Sequence, residues 1–106
     1  MSDTPPVDHA KRNRDMWDGW APDWLDRGER AWAMDEPCWG IHQIPESEVG
    51  LLRDFSQGKV IELGCGTGYV SGWLSRLGGQ PIGVDNSLAQ LSNARQLQQR
   101  FDLHFP

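Results

Sequence analysis

Lys59-Val60-Ile61-Glu62-Leu63-Gly64-Cys65-Gly66-Thr67-Gly68-Tyr69 is the stretch on which the fold turns. Residues 59–63 are short, rich in β-branched side chains and bounded by glycines, which predicts a buried strand. The glycines after it predict a tight turn. Beyond the turn, Val70, Trp73, Leu74 and Leu77 recur at i, i+3, i+4 and i+7, the spacing of a helix with one apolar face, and Gly78-Gly79 ends it. Pro81-Ile82-Gly83-Val84-Asp85 reads as a second strand. Ser87 and Gln90 then form a capping-box pattern ahead of Leu88, Leu91, Ala94 and Leu97, a second helix. The order β, α, β, α calls for a parallel sheet with right-handed crossovers, hence an α/β fold with a doubly wound sheet. Asp102 to Pro106 should begin a third strand.

Upstream, Pro45-Glu46-Ser47-Glu48 followed by Val49, Leu52 and Phe55 predicts a helix with proline and acids at its start and Gly58 past its end. From Asp8 to about Asp35 the chain is charged and rich in tryptophan, and five of its six tryptophans fall within the 23 residues from Trp17 to Trp39. Trp17, Trp20 and Trp24 have helical spacing, but Gly19 and Pro22 argue for a broken or turned helix. The rings either pack this segment onto the strand-and-helix domain or face a ligand pocket, and the two roles are compatible. Residues 1–7 are polar with two prolines and suit a frayed end. The organisation expected is a Trp-rich, acidic extension over 1–44 and the strand-and-helix domain over 45–106.

The 106 residues leave room for one small domain, and the 38% hydrophobic and 24% charged content is that of an ordinary globular protein. No apolar run approaches the roughly 20 residues of a membrane span. A net charge of −5 offers no footprint for a nucleic-acid backbone. Two cysteines, Cys38 and Cys65, make no disulfide framework, and the first residues lack the apolar core of a signal peptide. These observations point to a reduced, cytoplasmic chain.

Glycines after a strand let the backbone turn tightly and let a ligand approach its amides. The spacing here is G-x-G-x-G, and Tyr69 stands where a dinucleotide fingerprint would have its third glycine. A phosphate-binding P-loop is excluded, since no Gly-Lys-Ser or Gly-Lys-Thr follows. Glu62 sets negative charge two residues before the first glycine, where a pyrophosphate would be repelled and a cationic group welcomed. Asp85 ends the second strand 21 residues after Gly64, placed to accept hydrogen bonds from both hydroxyls of a ribose. An adenosine with a positive tail fits all three features.

At these residues the chain resembles the class I S-adenosylmethionine-dependent methyltransferases, of the small-molecule kind. Val60-Ile61-Glu62-Leu63-Gly64-Cys65-Gly66-Thr67-Gly68 is similar to the family's first motif, and Gly83-Val84-Asp85-Asn86-Ser87 to its second. More loosely, Trp17-Asp18-Gly19-Trp20-Ala21-Pro22-Asp23-Trp24 resembles an upstream aromatic-Asp-x-x-Ala-x-x-aromatic segment, with tryptophans for the usual tyrosines. The resemblance implies a Rossmann-like sheet of which this sequence holds the first βαβα units, and S-adenosyl-L-methionine as cofactor. It implies that Glu62 engages the methionine amino group, that Gly64, Cys65, Gly66 and Gly68 form the backbone cradle, that Asp85 takes the ribose hydroxyls and that Asn86 lies against the adenine. Methyl transfer to a small molecule would then rest on alignment and water exclusion. Family members build a longer, seven-stranded sheet, so we expect an amino-terminal portion that is inactive alone.

No catalytic residue is named by the sequence. His9, His42 and His104 are candidates for a base, each more simply a surface or packed histidine. Cys38 and His42 have a ligand-like spacing but lack two further partners, so no zinc site is expected. Two other classes compete: an NAD or FAD dinucleotide module, which Tyr69 and Glu62 oppose, and a non-catalytic interaction protein that uses the acidic arm to hold a partner.

Overall fold

The computed structural model describes residues 7–55 and 57–106. The frayed end expected over residues 1–7 lies, for residues 1–6, outside the described residues. In chain order the elements are helix α1 (Val7–Trp32), strands β1 (Cys38–Trp39) and β2 (Ile44–Pro45), a single turn α2 (Glu46–Val49), a 3-10 turn at Arg53–Phe55, strand β3 (Lys59–Leu63), helix α3 (Tyr69–Arg76), strand β4 (Gln80–Val84) and helix α4 (Leu88–Arg100).

The β3-α3-β4-α4 run follows its local signals. β3 and β4 pair in parallel, Lys59 opposite Gln80 through Leu63 opposite Val84. α3 closes in a Schellman arrangement: Gly78 takes φ 95°, its N–H donates to the Ser75 carbonyl at 3.1 Å, and the Gly79 N–H donates to Leu74 at 2.9 Å. Trp73 and Leu74 are buried with Leu52, whereas Leu77, expected on the same apolar face, is half exposed. Ser87 caps α4 by accepting the Gln90 N–H at 3.2 Å. The reciprocal half of the box does not form, because the Ser87 N–H donates to Asp85 Oδ1 instead, at 2.8 Å. Nor does the expected stripe hold throughout: Leu88 is 77% exposed, while Gln90 and Asn93 are buried beside Ala94 and Leu97. Those polar side chains are satisfied by what covers them. Asn93 Nδ2 donates to the Ala21 carbonyl at 2.7 Å and to Gln90 Oε1 at 3.3 Å.

Four expectations are corrected. The break at Pro22 is absent; α1 runs unbroken through it for 26 residues. The reason is tertiary: Asp18 accepts a hydrogen bond from the Ser87 hydroxyl, the next turn is tied through Ala21 to Asn93, and the helix ends in the buried Trp32. The helix predicted from Pro45 to Phe55 is one turn long. Gly50 goes left-handed at φ 71°, and the Glu46 carboxylate folds forward to accept the N–H groups of Leu51 and Leu52 at 2.6 and 2.8 Å, drawing them away from helical carbonyls.

The strand 59–63 is also not buried. Val60 and Glu62 meet α3, but Ile61 and Leu63 are 63% and 81% exposed, with Ile82 and Val84 half open beside them. A parallel sheet is buried only where helices cover both faces, and the described helices leave this face open. Residues 102–106, finally, form no strand. Pro106 accepts the Gly83 N–H at 2.9 Å but has no N–H to return, and the Phe105 N–H goes to the Gln98 side chain.

Candidate functional site

The turn after β3 is built on left-handed glycines. Gly64 and Gly66 take φ 67° and 54°, and a Cβ placed on either would meet nothing within 4 Å. Side chains there would fill the space above the turn; glycines leave a bare backbone cradle. Its floor is fixed by the Cys65 N–H donating to the Val84 carbonyl at 3.0 Å and the Gly68 N–H donating to Cys65 at 2.8 Å. Asp85 closes the cradle from β4. Its Oδ2 accepts the Gly66 N–H at 2.7 Å, and Oδ1 the Ser87 N–H. Each oxygen keeps a second lone pair for a ligand hydroxyl.

A cavity of about 600 Å³ stands over this cradle, within the size range of ligand pockets, roughly 300–1,000 Å³. Gly64, Cys65, Gly66, Asp85 and Asn86 line it together. Glu62 and Gly68, the other two residues of the expected cofactor set, are not on its wall. Glu62 sits half buried under α3, where Oε1 accepts both the Ser71 N–H at 3.0 Å and the Ser71 hydroxyl at 2.7 Å; among the described residues Oε2 has no partner. Gly68 caps the start of α3, and a Cβ placed on it would stand 3.6 Å from the Ala94 and Phe105 side chains.

The roof is α1. Trp17 and Trp24 line the cavity with Asn13 and Arg14. The aromatic-Asp-x-x-Ala-x-x-aromatic positions therefore share one face of α1: the two rings meet the cavity, Asp18 binds Ser87, and Ala21 is buried against Asn93. The tryptophans divide between the roles foreseen for them. Trp32 is core, 2% exposed, with Phe105 stacked on it at 6.3 Å, and Trp20 stays outside, edge-on to Trp17 at 5.2 Å. Asn86 lines the cavity and donates to the Ala10 carbonyl at 3.0 Å, tying roof to floor.

Asn13, Arg14, Thr67, Tyr69 and Gln90 also reach this wall. No chemical signal in the sequence marks the first two; only helical periodicity from Trp17, once α1 is continuous, brings them round. Burial, then the charges of Glu62 and Asp85, push the Cys65 thiol up to about 11, which keeps it a neutral filler of the turn. None of the three histidines reaches this cavity among the described residues. Among the same residues no group of three His, Cys, Asp or Glu could hold a metal, and no helix is long and apolar enough to cross a membrane.

A family profile described as a methyltransferase domain matches residues 60–105. The match supports a class I methyltransferase-like domain over that stretch, in agreement with the reading of the glycine turn and Asp85. No curated protein and no solved structure matches the chain.

Proposed function

We propose that the cavity beneath α1 binds S-adenosyl-L-methionine and that the chain serves methyl transfer to a small molecule. The observation that carries this is the open cradle of Gly64 and Gly66 facing Asp85 under an aromatic roof. The residues suit the group: backbone amides and a carboxylate with spare lone pairs for a nucleoside, and a second carboxylate, Glu62, to favour a cation near the turn. In this reading Asp85 takes the ribose hydroxyls, Asn86 lies along the base, the backbone from Gly64 to Gly66 carries the methionine side, and Gly68 lets α3 start close against it.

When bound, the cofactor supplies a methyl group already activated on a sulfonium sulfur. The chain's own work is to orient and to keep water out, which Trp17 and Trp24 do from α1. With no histidine on the wall, no proton relay is assigned. Both cysteines are free, which suits a reducing compartment such as the cytoplasm.

The test is titration of the full chain with S-adenosylhomocysteine and, separately, NAD, followed by tryptophan fluorescence and calorimetry. S-adenosylhomocysteine should bind and NAD should not. Asp85→Ala should weaken S-adenosylhomocysteine by about 1–3 kcal/mol, the cost of losing hydrogen bonds to a charged acceptor. Binding of NAD alone would overturn the assignment.

A further inference from the structure

A second cavity, of about 460 Å³, adjoins the first and shares three wall residues with it, Trp24, Thr67 and Tyr69. It is a solvent-open groove bounded by the second half of α1, the β1–β2 hairpin and the residues leading into α3. Its character differs from that of the first. The first holds a carboxylate, Asp85, beside Arg14. In the second, among the described residues, the charged groups on the wall are two guanidiniums, Arg27 and Arg30, with no carboxylate between them. Glu29, which lies between them in sequence, is engaged by Arg100 of α4 at 2.6 Å. The Arg27 guanidinium lies 5.2 Å from the centre of the Trp24 ring, and Met34 adds an apolar, adaptable surface. Tyr69 is held as a fixed partition: its hydroxyl accepts the Cys38 N–H at 2.8 Å, and its ring meets Trp39 edge-on at 6.0 Å.

We propose that this second chamber is the methyl-acceptor site and that it takes a small molecule with a flat apolar body and one anionic group, an aromatic carboxylate being the simplest. Arg27 and Arg30 hold the anion, as guanidiniums hold carboxylates, through paired N–H donors. Trp24 and Met34 flank the body, and the partition of Thr67 and Tyr69 brings the reacting end to the cofactor cavity. The acceptor atom makes its new bond to carbon with its own lone pair; the electron pair of the broken carbon–sulfur bond stays on sulfur, and a proton carried by the acceptor atom passes to water. This inference rests on the cofactor reading of the first cavity.

The experiment uses the full chain, with benzoate as probe, benzamide as its neutral counterpart, and S-adenosylhomocysteine titrated separately. In the unaltered protein, benzoate should shift the NMR signals of the Arg27 and Arg30 side-chain N–H groups and of the Trp24 indole, and benzamide should not. In Arg27→Gln/Arg30→Gln, benzoate should weaken by about tenfold or more, while S-adenosylhomocysteine affinity stays within about twofold. Arg27→Lys/Arg30→Lys should recover part of the loss. Benzoate binding indifferent to the arginines, or matched by benzamide, overturns the chamber alone. Absence of S-adenosylhomocysteine binding by the unaltered protein overturns the cofactor reading, and the acceptor role with it, even where benzoate binds.

Discussion

α3 and α1 each press a tryptophan into the interior, but they are held in place by different physics. α3 is short and defined by its own ends: a left-handed glycine before it, a Schellman closure after it, and the buried faces of Trp73 and Leu74 between. α1 is far longer, carries a proline in its middle, and buries little besides Ala21, Gly28 and Trp32. Its order comes from distant partners: Ser87 for Asp18, Asn93 for Ala21, Gly72 for Trp32. The floor of the site is therefore built by local rules and its roof by docking, so damage to the docking should open the cavity while leaving the glycine turn formed.

The strongest way to break this contrast is Trp32→Ala. The indole is nearly wholly buried among Gly72, Phe101, Phe105 and the Arg76 guanidinium, and truncating a buried tryptophan costs about 3–5 kcal/mol. Urea unfolding followed by circular dichroism should show a loss of that order, with Trp17 and Trp24 fluorescence shifting toward that of solvated indole before the β3–β4 unit melts. A single unchanged transition would mean that roof and floor are one cooperative unit.

Gly72→Ala probes the same contact from the other side. A Cβ at Gly72 would stand 2.8 Å from the Trp32 ring, closer than atoms can pack, and relief by displacement should cost about 1–3 kcal/mol. The same substitution made in Trp32→Ala should cost almost nothing, so the double-mutant cycle reads the docking contact directly. Equal costs in both backgrounds would place the strain within α3 and not against α1.

Pro22→Ala should act in the opposite direction. Proline in a helix interior is about 3 kcal/mol less favourable than alanine, partly offset by the entropy it removes from the unfolded chain, and Pro22 is exposed, so no packing is lost. A net gain of about 1 kcal/mol and a higher Tm are expected. A fall in Tm would show that α1 needs its proline to reach both Ser87 and Gly72.

The same division explains how much can be read from residues alone. β3, the turn, α3, β4 and the start of α4 are legible because Gly64 to Gly68, Gly78 and Ser87 punctuate the chain locally, and the strand-end position of Asp85 follows from them. α1 defies its local signal at Pro22 because the forces that override the proline sit on residues 87 and 93, some seventy positions away. The short α2 is hidden for another reason: Glu46 looks like a helix-start acid, and only in the folded chain does its carboxylate take the N–H groups of residues 51 and 52. The buried faces of Gln90 and Asn93 are invisible for the same cause as α1, since a polar residue is read as exposed until its covering partner is known. At the site, the residues with chemistry of their own stand out in the sequence, whereas Arg14 and Arg27 gain meaning only from which cavity their helix turns them toward.

The smallest effect expected is a difference between the two cysteines, Cys65 in the turn of the floor and Cys38 in strand β1 beyond the roof helix. Cys65 lies inside the turn, its thiol pushed up to about 11 from 9.0, first by burial and then by Glu62 and Asp85. A thiol is neutral when protonated, so the folded protein holds this proton to higher pH than the unfolded chain does. The stability that this preference contributes is fully present below about pH 9 and is lost as pH rises towards 11, where the folded form ionises too. Alkylation requires the thiolate, so iodoacetamide at pH 8 followed by mass spectrometry should label Cys38 and spare Cys65, with Cys65 labelling climbing only as the pH approaches 11. Unfolding free energy measured at pH 8 and 10.5 should fall more in the unaltered protein than in Cys65→Ala. Rapid labelling of Cys65 at pH 8 would mean that the turn opens on its own, and that the cradle is less firmly set by its local rules than the roof is by its distant ones.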